Sequence, residues 1–288
     1  MEKSQILRKY AITGHPNLPE AIAEAGLVAD YLRDQGFEAD QGSLNDEVIR
    51  NKIFEKEYDV LIAIGGDGTM LRASNICAPV GIPVLGINKG RLGFLYQVWE
   101  GGWKTLINML VKGDYWIENR MMLNAELFHE RISQGSLSAL NDVVVSRGYI
   151  IRPIHVEARV DGQYLTRYVC DGLIASTATG STAYALASGG PILPPELRNI
   201  LLIPIAPHLS VDRAVVLSEG TKVTIEVLSE NSVMSVDGQH PIFLDVGDII
   251  NINAGLFTAK FIRFGEKDYF YRNLTAHMNQ NAMTGIPR

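Results

Sequence analysis

Val60-Leu61-Ile62-Ala63-Ile64-Gly65-Gly66-Asp67-Gly68-Thr69 joins a short apolar run to a glycine-rich turn that carries a carboxylate. A run of this kind suits a strand buried in a parallel sheet. Glycines without Cβ atoms let the backbone approach a ligand, and the first N–H groups of a following helix can face an anion. The turn therefore points to phosphate chemistry. Asp67 needs a role there, because its charge repels phosphate unless it binds a hydroxyl, a metal ion or a proton in transit. The competing reading is a plain turn in which Asp67 caps a helix that begins near Thr69 and runs through Leu71, Arg72 and Ala73.

Around this stretch the first part of the chain alternates strands and helices. Ile6 to Thr13 reads as a strand, and Leu18 to Gln35 as a helix with Ile22, Ala25, Val28, Ala29 and Leu32 at helical spacing and Gly36 as its stop. Pro83 to Ile87 is a further apolar strand, followed by Asn88-Lys89-Gly90-Arg91-Leu92-Gly93-Phe94, and a helix from about Trp103 to Val111 ends near Gly113. The pattern predicts a doubly wound α/β domain over residues 1–120, joined by segment 265–288, with ligands at the carboxyl ends of its strands. Lys89 and Arg91 are the local basic pair best suited to phosphate. Beyond about residue 121, β-branched segments such as Asp142 to Val145, His155 to Val160, Val215 to Leu217, Val223 to Val227 and Ile249 to Ile252 predict a β-rich, sandwich-like second domain over 121–264. Asp161-Gly162 and Asp237-Gly238 are hairpin-turn signals.

A chain of 288 residues exceeds one ordinary hydrophobic core, which favours two domains. A net charge of −6 disfavours a protein that coats nucleic acid. No stretch is apolar enough to span a bilayer, and Met1-Glu2-Lys3-Ser4-Gln5 lacks the apolar core of a signal peptide. Cys77 and Cys170 have neither disulfide-framework nor zinc spacing. The expected setting is a reducing cytoplasm, with small nucleotides as partners, no nucleic acid and no membrane.

A second motif, Asp171-Gly172-Leu173-Ile174-Ala175-Ser176-Thr177-Ala178-Thr179-Gly180-Ser181-Thr182-Ala183-Tyr184, runs from an apolar strand into a loop dense in hydroxyls and amides. Such a loop can bind a base, ribose or phosphate without bringing charge, and Tyr184 offers a ring. GxxxxGK[ST], GxGxxG after a strand, HRD, DFG, HExxH and GxSxG are all absent from the sequence. Phosphoryl transfer on another scaffold remains.

In this ordered set the chain resembles the ATP-dependent NAD kinases: Gly65 to Thr69, Gly86 to Leu95, Asn141-Asp142, Asp171 to Tyr184 with Gly189 to Leu193, Pro204 to His208, and Val236 to Gln239. The GGDGT turn alone is shared with lipid and phosphofructokinase-type kinases. The resemblance implies an α/β first domain, a β-rich second domain and NAD held in a cleft between them. It implies Asp67 as the base that activates the 2′-hydroxyl of the adenosine ribose, with Gly66, Gly68, Thr69 and Arg72 beside it. NAD contacts carried over by motif are Asn141, Asp142, Arg152, Asp171, Thr179, Thr182, Ala183, Tyr184, Ala185, Leu186, Ala187, His208 and Gln239. Asp142 stands where the family has a glutamate, one methylene longer. ATP with Mg²⁺ or another divalent cation is the implied phosphoryl donor, and a homodimer or homotetramer the implied assembly, with neighbouring chains completing each NAD site. Two other readings stay open at this stage. A lipid kinase would use the same turn on a greasy acceptor, and an NAD(P) sensor would bind without turnover.

Overall fold

The computed structural model describes residues 7–89, 93–97, 102–208, 212–271 and 274; Ile6 and the stretch Gly90-Arg91-Leu92 lie outside them. The chain divides into two units, Met1–Asn119 with Ala259–Arg288, and Arg120–Thr258.

In unit 1, strands β1 (Lys9–Gly14), β2 (Glu38–Gln41), β3 (Val60–Gly65) and β4 (Val84–Asn88) alternate with helices α1 (Pro19–Asp34), α2 (Glu47–Phe54), α3 (Asp67–Cys77) and α4 (Gly102–Lys112). The strands are parallel in the order β2-β1-β3-β4. From β1 the chain steps outward to β2, then crosses back to β3 on the other flank. The gap between the ends of β1 and β3 is thus the topological switch point, where doubly wound sheets bind ligands. Every residue of β3 is buried, which is why it reads as an unbroken apolar run. α1 buries Ala21, Ala25, Val28, Ala29 and Leu32 on one face against Tyr10, Ile12, Ile62 and Ile64. Gly36, at φ 86°, follows its last turn in a left-handed conformation.

Unit 2 is built from strands. β5 (Trp116–His129) leads in from unit 1, followed by β6 (Ile132–Ala139), β7 (Asp142–Arg147), β8 (Ile154–Val160), β9 (Gln163–Cys170) and β10 (Gly172–Thr177). A single-turn helix α5 (Tyr184–Ala187) precedes β11 (Asn199–Ile205), β12 (Val215–Ser218), β13 (Val223–Val227), β14 (Ser232–Val236), β15 (Ile242–Leu244) and β16 (Ile249–Arg263). One antiparallel sheet runs β12-β11-β10-β7-β14-β15; in the other, β16-β13-β8-β9 are neighbours and β5 pairs with β6 and β16. Val143, Leu173, Ala175 and Ile200 of the first sheet share one core with Val156, Ala158, Ile225 and Ile250 of the second. This is a sandwich with side chains from two inner faces. β16 continues into unit 1, where Phe261 pairs with Val84 beside β4.

Several elements differ from the sequence reading in ways that have physical causes. α3 begins at Asp67 rather than near Thr69, because extended Gly66 serves as its N-cap. Asp161 and Gly162, both at positive φ, form the tight turn between β8 and β9. Asp237 and Gly238 also have positive φ but open a longer loop, since β15 resumes only at Ile242.

Candidate active site

The end of β3 delivers Gly65 and Gly66, and α3 starts at once with Asp67 in its first turn. A carboxylate there is stabilised by the positive end of the helix dipole, and the first N–H groups lack intrahelical partners. Beside it is a cavity of about 310 Å³ at the switch point, lined by Thr13, Gly14 and His15 at the end of β1, Ser43 after β2, and Gly68, Thr69 and Arg72 of the turn and helix. Its lining is rich in hydroxyls and backbone. The Thr69 hydroxyl is buried and has no hydrogen-bond partner among the described residues. Arg72 is exposed, and its guanidinium bonds the Asn45 side chain at the rim. Lys89 forms an ion pair with Glu24 at 3.1 Å, so that part of its charge is already met. Arg91 lies outside the described residues.

Because β4 lies beside β3 in parallel, the segment that follows β4 folds over the turn. Phe94 N–H donates to Asp67 Oδ2 at 3.2 Å and Leu95 N–H to Oδ1 at a long 3.4 Å. The Tyr96 hydroxyl donates to the Gly66 carbonyl at 3.0 Å. A Cβ on Gly93 would overlap the Asp67 carboxylate, which makes glycine a steric requirement there. By contrast a Cβ on Gly68 would meet no atom of the described residues within 4 Å.

Unit 2 sorts the remaining sequence-predicted residues into two groups. Asn141, Asp142, Thr179, Thr182, Ala183, Tyr184, Ala185, Leu186, Ala187 and Gln239 belong to the end of the six-stranded sheet where β10 finishes. There Thr177 N–H bonds the Asn141 carbonyl at 2.8 Å and Asp237 N–H bonds the Asp142 carbonyl at 3.0 Å. Asp171 precedes β10, at its other end, where its carboxylate pairs with Arg147 at 3.3 Å. His208 hangs from Val169 by a 2.7 Å backbone bond, and Arg152, exposed, lines a shallow cavity of about 320 Å³ with Ile150, Ser229 and Asn231. Asp171 and Thr177 are six strand residues apart, or about 20 Å at the ordinary rise.

Most hydroxyls of the second motif are committed to the chain itself. Thr177 donates to Leu140 O at 2.6 Å, Ser181 to Ala178 O at 2.7 Å, Thr182 to Thr179 O at 3.1 Å and Ser176 to Asn141 O at 3.1 Å. They shape the loop itself, while Tyr184 is exposed and Asn141 partly so. A Cβ on Gly180 would overlap the Asn141 carbonyl, so the two motifs touch through backbone.

Asp237 is a residue that sequence reasoning took only for a turn. Its carboxylate accepts N–H groups from Leu140 at 2.9 Å, Asn141 at 2.8 Å and Asp142 at 3.2 Å, and so braces the β6–β7 turn. The signal was available, since an aspartate beside a glycine marks side chain to backbone bonding, but its target is distant in sequence. Burial first, and the Asp237 charge second, push the Asp142 carboxyl up to about 7. His129, Asp245 and Asp248 also gather, their donor atoms within 4.8 Å of one another. The His129 Nδ1 lies 2.8 Å from Asp248 Oδ1, and this hydrogen bond raises the imidazole pKa, which opposes metal ligation.

Comparison with known proteins agrees with this layout. Residues 17–115 match the model of the ATP-NAD kinase N-terminal domain and residues 140–264 that of the ATP-NAD kinase C-terminal domain. The NAD kinase of Heliobacterium modesticaldum is 43% identical over 274 residues, covering 91% of this chain and 95% of that protein. That of Syntrophotalea carbinolica is 34% identical over 274 residues, covering 92% and 96%. Among solved structures, yeast NADH kinase complexed with NADH superposes with a TM-score of 0.80 at 26% identity, covering 96% of this chain and 89% of that one. An NAD kinase from Archaeoglobus fulgidus in complex with ATP gives a TM-score of 0.74 at 27% identity, covering 94% and 98%. The site and fold are those of a nucleotide phosphotransferase. The chain belongs to the ATP-NAD kinase family.

Two outcomes are expected from this geometry. Gly93→Ala displaces the Asp67 carboxylate and lowers kcat by roughly 10- to 100-fold, whereas Gly68→Ala leaves the fold intact and acts by narrowing the cavity, raising the nucleotide KM. Steady-state kinetics of the two variants separate these effects. For Asp142 the folded carboxyl titrates near 7 against an ordinary 3.8, so the folded state holds the extra proton between those values and unliganded stability falls as pH rises through that window. Asp142→Asn removes the slope: denaturant unfolding of the variant should match the wild type near pH 4 and exceed it by roughly 1–3 kcal/mol at pH 8.

Proposed function

We propose that Asp67 is the general base of NAD phosphorylation. Its carboxylate takes the proton of the 2′-hydroxyl of the adenosine ribose as that oxygen attacks the γ-phosphorus of ATP. The bond from ribose oxygen to phosphorus forms, the bond from phosphorus to the β–γ bridging oxygen breaks, and NADP and ADP leave. A ribose hydroxyl is a poor nucleophile at neutral pH, and a positioned carboxylate contributes roughly 10²–10⁴ in rate. The observation that carries this reading is the carboxylate at the start of α3, beside the switch-point cavity. The ATP phosphates belong in that cavity, against Gly68, the Thr69 hydroxyl and the first amides of α3. Oxygen donors line it, as Mg²⁺ prefers, and the buried Thr69 hydroxyl fits a phosphate or a cation-bound water. When bound with ATP, the cation neutralises charge on the phosphates. A lipid acceptor is not favoured, because both matching family models and the curated relatives are those of NAD kinases. A sensor would have no use for a base at the acceptor hydroxyl.

The two groups of unit 2 support a finer reading of the assembly. A homo-oligomer in which the Asn141–Tyr184 group of one chain and the Asp171 group of a neighbour serve one NAD accounts for their placement at opposite ends of β10. Tyr149 and Phe243, both exposed and stacked at 5.7 Å, give that surface an apolar face suited to a second copy. Two buried free thiols, Cys77 and Cys170, suit a reducing cytoplasm.

With purified protein, NAD and Mg-ATP, Asp67→Asn should bind NAD as the wild type does while NADP formation, read by an NADP-specific dehydrogenase, falls by roughly 10²-fold or more. Turnover near wild type in this variant refutes the assigned base. For the shared site, Asn141→Ala and Asp171→Ala chains, each inactive alone, should regain part of the activity when unfolded and refolded together; no recovery in hybrids of confirmed mixed composition would mean that each chain holds its own complete site.

A further inference from the structure

Unit 1 buries an ion pair that does not touch Asp67. Arg263, at the end of β16, is 1% exposed and Glu118 6%, and the Arg263 Nε donates to Glu118 Oε2 at 2.8 Å. The Tyr269 hydroxyl donates to the same carboxylate at 2.9 Å, and the rings of Phe261 and Tyr269 cover the guanidinium at 4.9 and 5.1 Å. Apolar residues of similar volume often serve stability as well as a buried pair does, so stability is a weak reason to keep these charges. What a guanidinium supplies and an apolar filling does not is a further donor. Arg263 Nη2 donates to the Leu95 carbonyl at 3.1 Å. Leu95 is the residue whose N–H faces Asp67 Oδ1 at 3.4 Å. Next to it, the Gln97 side chain accepts from Phe264 N–H at 3.0 Å and donates to Phe264 O at 2.6 Å, binding the same segment to the same strand end.

We propose that Arg263, braced by Glu118 and Tyr269, and Gln97 are positioning residues for phosphoryl transfer. They pin Leu95 from its carbonyl side and the segment beyond it, so that the N–H groups of Phe94 and Leu95 hold the Asp67 carboxylate in one rotamer. The inference rests on the reading of Asp67 as the base. It makes the return of the chain to unit 1 a part of the catalytic apparatus, since Arg263 bonds Leu95 and Phe264 bonds Gln97. Removal of the strap should act on kcat, because the nucleotide-binding surfaces of the cavity contain none of these residues.

The test uses the full chain. Glu118→Gln with Arg263→Met keeps an acceptor for Tyr269 and fills the space of the guanidinium; Gln97→Ala removes the second strap from a partly buried position. Both should lower kcat by roughly 10- to 100-fold with KM for NAD and Mg-ATP within about twofold of wild type. Amide hydrogen exchange should quicken at Phe94 to Gln97, and in Gln97→Ala also at Phe264, whose N–H loses its acceptor, but not elsewhere in unit 1. Wild-type kcat in either folded variant overturns the proposal, as does a loss of kcat accompanied by faster exchange throughout the unit. If the double variant does not fold, Gln97→Ala decides by the same two outcomes. Full turnover in Asp67→Asn strikes the base reading instead, and is read separately.

Discussion

In the proposed reaction a carboxylate shares the first turn of a helix with phosphate, a conflict of charge that the way unit 1 holds Asp67 resolves. The dipole of α3 favours a negative group at its N-terminus, whether that group is a side chain or a ligand. Amides of Phe94 and Leu95 take up the carboxylate oxygens, and the missing Cβ of Gly93 makes room for the approach. The rest of the unit provides this arrangement. Parallel pairing of β3 with β4, in register from Leu61↔Val84 to Gly65↔Asn88, sets their following loops side by side. The crossover from β2 to β3 opens the switch-point cavity next to them. Phosphoryl transfer asks little covalent chemistry of a protein and much positioning, which is why the backbone around the proposed base matters.

In unit 2 the corresponding constraint is a second carboxylate bound by amides. Asp237 takes three consecutive N–H groups of the β6–β7 turn, a concave arrangement usually met as a site for a free anion. The turn is thus set by a side chain from β14's end rather than by its own sequence. One consequence is electrostatic. Asp142 is buried beside a charge already stabilised by amides, so the cost of a second negative charge falls on Asp142, and its proton is held to about pH 7. Asp142 is buried in the turn, which leaves Asn141 as the more exposed of the two polar groups.

Much of unit 1 was legible because its signals are local. β3 is apolar throughout since both faces are covered, α1 carries a five-residue buried stripe, and Gly36 and Gly113 sit at positive φ where helices stop. The strand-to-helix turn at Gly65 to Asp67 is legible for the same reason, since an apolar run, two glycines and a helix start follow one another directly. The β-rich unit gave its composition but not its pairings, because β10 lies between β7 and β11, and β16 beside β13, by contacts far apart in sequence. Hydroxyls of the second motif suggested ligand contacts, yet a hydroxyl bonds whatever carbonyl is nearest, and four of them found the chain's own. The division of Asp171 from Tyr184 needed only strand arithmetic. A motif that contains a strand cannot bring both of its ends to one point.

The buried charges of Glu118 and Arg263 belong to the group of features that no sequence pattern announces. Read alone, an arginine in a terminal strand is an ordinary surface residue, and its value lies in reaching two acceptors, Glu118 and Leu95, from one planar fork. Lysine has the charge without that fixed geometry. A structure that spends a desolvated ion pair to hold one carbonyl has placed specificity of conformation above net stability. With Asp67 as the proposed base, that preference has a physical reason: misplacing a reacting group by about an ångström costs roughly 10²-fold in rate.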